Sequence, residues 1–225
     1  MRLKSVMIPV LVTAVLLAAL TPAAQAQTQP SIPINGRYTL LTIRIYIPPT
    51  PKWAHDVVLN ATIAWNNAQS WNQENQSIIY QFVESDETTA TSTIKFSMPA
   101  PYASIAVGWT NYKFASGSRT TYVSTETYLT PTIFNNANAG NATAGRYAFW
   151  LALHELGRIL GLGSVLDPKD IMDPMYTPLR MSQVPNLSTL DLYAIHTLAQ
   201  GSAPTFVTLP DGIQDQLTPA TTFLP

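Results

Sequence analysis

Hydrophobic and polar positions along the chain change period several times, and each change marks an element. From Tyr38 to Ile47 the alternation is strict: Leu41, Ile43, Ile45 and Ile47 share one side, with Thr42 and Arg44 between them. That pattern predicts a half-buried strand closed by Pro48-Pro49. From Pro51 the period becomes helical. Ala54, Val57, Val58, Ala61, Ala64, Trp65 and Ala68 recur at i, i+3, i+4 spacing and predict one long first helix running to about Ser70. Ser77 to Val83 and Ser92 to Met98 read as further strands, Ile105 to Thr110 as a short strand or a loop, and Thr120 to Leu129 as a longer polar strand of edge character. A turn-rich loop, Asn135 to Gly145, feeds an apolar central helix from about Tyr147. Ser188 to Gln200 predicts a last helix, with Ser188 as N-cap, Asp191 three residues on as its capping-box partner, and Gly201 as its stop. Strand, helix, several strands, helix, loop, helix describes an α+β domain over residues 37–201, its helices packed on a mixed sheet. Residues 27–36 read as a flexible lead-in and 202–225 as a Pro- and Thr-rich, loosely held tail without strand or helix period.

The N-terminus changes the picture of where the protein works. Arg2 and Lys4 precede an apolar run from Val6 to Leu20, and Ala24-Gln25-Ala26 supplies a small-x-small cleavage site. This predicts a signal peptide over 1–26, export, and a secreted, extracellular chain with no membrane attachment after cleavage. A retained anchor is the alternative, although the run is short for a hydrocarbon core of about 30 Å. The 225-residue chain carries a net charge of −1 with 11% charged residues, which argues against a nucleic-acid or anionic-lipid surface. It has no cysteine, so disulfides, thiolate metal sites and cysteine nucleophiles are excluded. Asn-x-Ser/Thr sequons occur at Asn60, Asn75, Asn141 and Asn186; Asn141, in a predicted loop, is the best glycosylation candidate.

The candidate chemistry lies in YAFWLALHELGRILGLGSVLDPKDIMDPMY, residues 147–176. A histidine and a second ligand one helical turn later project from one face, and a glutamate beside the first histidine can deprotonate a metal-bound water. A break at Gly161 then returns the chain so that position 164 completes a tripod. His154, Glu155 and Gly161 are present; position 158 is Arg and position 164 is Ser.

HELGRILGLGS resembles the HExxHxxGxxH signature of the matrixin branch of the metzincin zinc endopeptidases, except at those two ligand positions. DPKDIMDPMY resembles the Met-turn segment of that family, and LSTLDLYAIHTLAQG at 187–201 its C-terminal helix. The resemblance implies a mixed twisted sheet, a long first helix, a central active-site helix, a Met-turn and a C-terminal helix. It also implies Zn2+ as cofactor, His154 as a metal ligand, Glu155 as general base when metal is bound, Met172 and Pro174 in the Met-turn, and Tyr176 on the specificity wall.

Ligand chemistry opposes the zinc. A guanidinium has no lone pair to give and a serine hydroxyl is a poor ligand at neutral pH. A structural zinc site is worth roughly 10–16 kcal/mol, so loss of two imidazoles is expected to empty the site. Of the remaining histidines, His55 begins the first helix and His196 lies on the last; Asp167, Asp170 and Asp173 are the nearby carboxylates. Arg158, three residues after Glu155, is within reach to replace the metal's charge by an ion pair with that carboxylate; simple extension to solvent is the alternative. Three functional readings follow. The first is an inactive or impaired metallopeptidase homologue that retains a cleft for an extended peptide or protein segment. The second is an active zinc endopeptidase with non-standard ligands, binding peptides along Thr120 to Leu129. The third is a structural cell-surface protein.

Overall fold

The computed structural model describes residues 30–71, 79–104, 106–167, 169–174 and 184–225. The signal-peptide region, Asn75 and Tyr176 lie outside them.

Strands β1 (Ser31–Pro33), β2 (Arg37–Tyr38) and β3 (Thr42–Tyr46) precede helix α1 (Lys52–Trp71). Strands β4 (Gln81–Glu84), β5 (Ser92–Lys95), β6 (Gly108–Phe114) and β7 (Thr121–Leu129) follow, then helix α2 (Ala142–Leu160). Strand β8 (Asn186–Ser188), helix α3 (Thr189–Ala199), β9 (Phe206–Thr208), β10 (Leu217–Pro219) and a 3-10 turn at Ala220–Phe223 complete the chain. The main sheet runs β4-β3-β5-β7-β6, with β2 beside the start of β7. All its pairings are parallel except β6 with β7. It is a mixed α+β domain, as the periodicities predict.

The first helix buries the expected face: Ala54, Val58, Ala61, Ala64, Trp65 and Ala68 have no exposed surface. Its alanines let α2 approach closely, and the Trp65 indole N–H donates to the Leu153 carbonyl at 3.0 Å. Helix α2 is buried almost all round from Tyr147 to Leu160, the pattern of a helix through the middle of a core. Asn141 caps it by accepting from the Thr143 and Ala144 N–H groups at 3.0 and 3.1 Å. It is exposed and lies just outside the helix. Helix α3 begins with the anticipated capping box between Ser188 and Asp191.

Three sequence expectations are corrected. Thr121–Leu129 is not an edge: β5 pairs along one side and β6 along the other. The edge on that side is β6, whose GWTNYKF alternates too weakly in polarity to announce itself. The lead-in is not loose. Ser31–Pro33 pairs antiparallel with Phe206–Thr208, and the Gly163 N–H donates to the Pro33 carbonyl at 2.6 Å. The stretch after residue 201 is not a loosely held tail. Leu217–Pro219 pairs with β8, Asn67 donates to the Phe223 carbonyl at 2.8 Å, and Val207, Leu209, Ala220 and Phe223 are buried. Three-residue strands are too short to show a period, and their partners are far away in sequence. Among the described residues, no helix is long and apolar enough to cross a membrane.

Candidate active-site cleft

Helix α2 ends at Gly161, which adopts φ 108° and turns the chain back beneath β1. The loop that follows re-enters under the helix as a tight turn. There the Asp170 carboxyl accepts the Met172 N–H at 2.6 Å, and Val165 donates to the Met172 carbonyl at 3.1 Å. Met172 has no exposed surface. A Cβ on Gly157 would lie 2.5 Å from the Met172 sulfur and 3.1 Å from the Trp65 ring, so a glycine in mid-helix is what lets the turn tuck in.

This turn orients His154. The ring Nδ1 lies 2.8 Å from the Ile171 carbonyl oxygen. A carbonyl only accepts, so Nδ1 carries the proton; in the neutral ring Nε2 then keeps the lone pair through which a histidine ligates a metal. Trp150, one turn earlier, stacks on the imidazole with centroids 5.4 Å apart.

Glu155 turns toward the edge strand. Its Oε2 accepts from the Thr110 hydroxyl at 2.6 Å, and Thr110 in turn meets Thr127 at 2.9 Å. A Cβ on Gly108 would sit 2.6 Å from Oε1. Burial pushes the Glu155 carboxyl above the ordinary range, while the Thr110 hydrogen bond and the Arg158 charge act the other way. Nothing in the local sequence marks Gly108 or Thr110 as partners of Glu155; recognising 108–114 as a strand would have put Thr110 and Tyr112 on one face.

Arg158 does not pair with Glu155. Among the described residues the ion pairs are elsewhere, and the Arg158 Nη1 donates instead to the Ser164 hydroxyl at 2.9 Å. The expected Arg158–Glu155 pair is therefore corrected: the Glu155 carboxylate is drawn away to β6, and the guanidinium follows the chain round Gly161. The residues at the two substituted ligand positions hold each other. The Arg158 carbonyl accepts from the Tyr112 hydroxyl at 3.3 Å, tying this last turn of α2 to the edge strand.

A cavity of about 660 Å³ opens over these groups. His154, Glu155, Arg158, Ser164 and Thr110 form its polar part, and Val107, Trp109, Ile133, Trp150, Leu151 and Pro174 its apolar part. The other histidines are not brought here. His55 meets Glu84 at 2.8 Å and His196 meets Gln200 at 2.6 Å. Asp167 accepts the Lys169 N–H at 2.9 Å, Asp170 serves the turn, and neither they nor Asp173 lines the cavity.

With this geometry the comparisons with known proteins can be read. The matrixin model of the M10 peptidases matches residues 33–200. The chain belongs to the matrixin family. Among curated proteins none matches it. A solved structure similar to it is the GM1-bound form of the ECX AB5 holotoxin, at 11% identity over 75% of this chain and 88% of that chain. The TM-score is 0.42, too low to bear on fold or function.

As a matrixin the chain is a metallopeptidase-like protein, and its family implies zinc. The residues present do not fit that ion. His154 offers one well-oriented nitrogen, but position 158 supplies only donors and the Ser164 hydroxyl oxygen is engaged by them. Among the described residues no three His, Asp or Glu side chains gather into a metal-holding group, where a catalytic zinc needs three protein ligands.

Beneath the turn, this matrixin carries a buried acidic pair. Burial pushes the Asp170 carboxyl up from 3.8 to about 6, against the pull of the Met172 N–H. Asp191, with no exposed surface, is pushed well up by burial and by the Asp170 charge. Two such carboxyls do not ionise together cheaply. Because the folded state holds the proton more tightly than the unfolded chain, stability falls as pH rises from about 4 through 6. Asp170→Asn keeps an acceptor for the Met172 N–H and removes the charge. The variant should melt higher than the parent at pH 8 and show a flatter melting-temperature profile between pH 4 and 8. A lower melting temperature at pH 8 with an unchanged slope would contradict the assignment.

Proposed function

We propose that this matrixin homologue is exported and holds extended peptide or protein segments in its cleft without hydrolysing them. The observation that carries this reading is the 2.9 Å hydrogen bond from Arg158 to Ser164. It commits to each other the residues at two positions a zinc tripod needs, so Glu155 has no metal-activated water to deprotonate. The binding half rests on β6. This strand pairs on one side only and flanks the cavity through Gly108, Trp109 and Thr110, so a partner chain can extend the sheet there by strand addition. Export rests on the charged, apolar and small-residue order of residues 1–26.

The test is incubation of purified protein with a mixed peptide library, with and without added zinc, followed by mass spectrometry of free and co-eluting peptides. Retained, uncut peptides under both conditions are the expected result. Chelator-sensitive cleavage would replace this reading by the active endopeptidase with non-standard ligands.

A further inference from the structure

Arg158 lines the cavity, half-buried, with one nitrogen on the Ser164 hydroxyl. A guanidinium presents five N–H donors in a planar fork; the Ser164 hydroxyl takes one and the Tyr112 side chain lies against it as well, which leaves further donors for a ligand. Among the described residues no carboxylate lies within ion-pair distance of it, and Glu155 is turned to Thr110. Such a fork fits a carboxylate, and bidentate pairing there is among the stronger charge-assisted contacts. Beside it the cavity wall is apolar, formed by Val107, Ile133, Trp150 and Leu151.

We propose that the cleft reads the C-terminus of an extended peptide, with Arg158 binding the free α-carboxylate and the apolar wall taking the last side chain. A charge and an apolar surface side by side match the two ends of one terminal residue, whereas an internal acidic side chain would use the cation and leave the wall bare. The strand addition to β6 puts the rest of the peptide along the open edge. This inference rests on the peptide-binding reading above and names its ligand class. Ser164, by accepting one N–H, holds the guanidinium at the cavity wall.

The test uses a degenerate heptapeptide pool ending in leucine, prepared as free acid and as C-terminal amide, with a third, amidated pool carrying one internal glutamate. Each is measured by competition against the purified full-length protein. The free acid is expected to bind at least about tenfold more tightly than either amide, the scale of one hydrogen-bonded charge contact. In Arg158→Gln the preference for acid over amide is expected to collapse; Ser164→Ala should reduce it while retaining the charge. Thermal melts confirm that each variant is folded, and if Arg158→Gln is not, Ser164→Ala carries the test. Equal binding of acid and amide by the parent would overturn the carboxylate reading and leave peptide binding intact. A preference for the glutamate-bearing amide, or one that survives Arg158→Gln, would overturn it as well. No binding of any pool would remove both this inference and the reading beneath it.

Discussion

Arg158→His combined with Ser164→His is expected to let the protein take up one zinc ion per chain. The remainder of a zinc pocket is already built. His154 presents Nε2 because the Ile171 carbonyl holds the Nδ1 proton at 2.8 Å. Met172 is packed beneath the helix against Gly157, and Glu155 is held by Thr110. Positions 154 and 158 share a helical face, and the contact between the Arg158 and Ser164 side chains shows that position 164 converges on that face. Micromolar zinc affinity in the double variant would correspond to about 8 kcal/mol, below the roughly 10–16 kcal/mol of four-ligand structural sites. Each single variant supplies only two imidazoles and should bind far more weakly. Calorimetric zinc titration of the three variants checks this. A folded double variant that binds no better than the singles would show that the pocket has lost its tripod geometry along with its ligands.

The second large effect is on the fold that closes this pocket. Gly161→Ala is expected to destabilise the protein by more than about 3 kcal/mol, from an overpacked contact combined with an unfavourable backbone angle. Gly161 has φ 108°, a conformation that L residues rarely adopt, and a Cβ there would run into the Gly36 carbonyl oxygen and lie 3.1 Å from Leu198. Neither the backbone carbonyl nor the pinned segment 31–36 can yield cheaply, because Asn35 also donates to the Gly161 carbonyl at 2.8 Å. At 2–4 °C per kcal/mol for a chain of this size, the melting temperature should fall by about 10 °C. Gly140→Ala is the control: φ is 80° and a Cβ there meets nothing within 4 Å, so it should cost only about 1 kcal/mol of backbone strain. Similar losses in the two variants would refute the close approach at Gly161.

Much of this architecture is legible in the sequence because the long elements carry their own signals. The apolar face of α1 from Ala54 to Ala68, the alternation of β3 and the capping box at Ser188 are local, and each appears where its pattern puts it. His154 and Ile171 meet through the loop, and the glycines at 157 and 161 allow the turn that brings them together. What is not legible depends on contacts between distant segments. The pairing of β1 with β9 joins three residues near one end of the chain to three near the other, and no periodicity can be read in so few. The edge role of β6 is decided by which strand β7 leaves uncovered.

The partner of Arg158 shows the same limit on a smaller scale. Helical spacing allows it to reach Glu155. Thr110 and Gly108, more than forty residues earlier, draw that carboxylate aside, and the guanidinium turns to Ser164. Spacing on a helix defines which side chains can meet, and the surrounding strands decide which of them do.

The most direct test of the central claim is zinc-edge X-ray absorption on the unmodified protein, saturated with zinc and then desalted. The account expects no stoichiometric ion to remain and no protein-ligated metal signal. One zinc per chain, coordinated by His154 and two further protein donors, would contradict it.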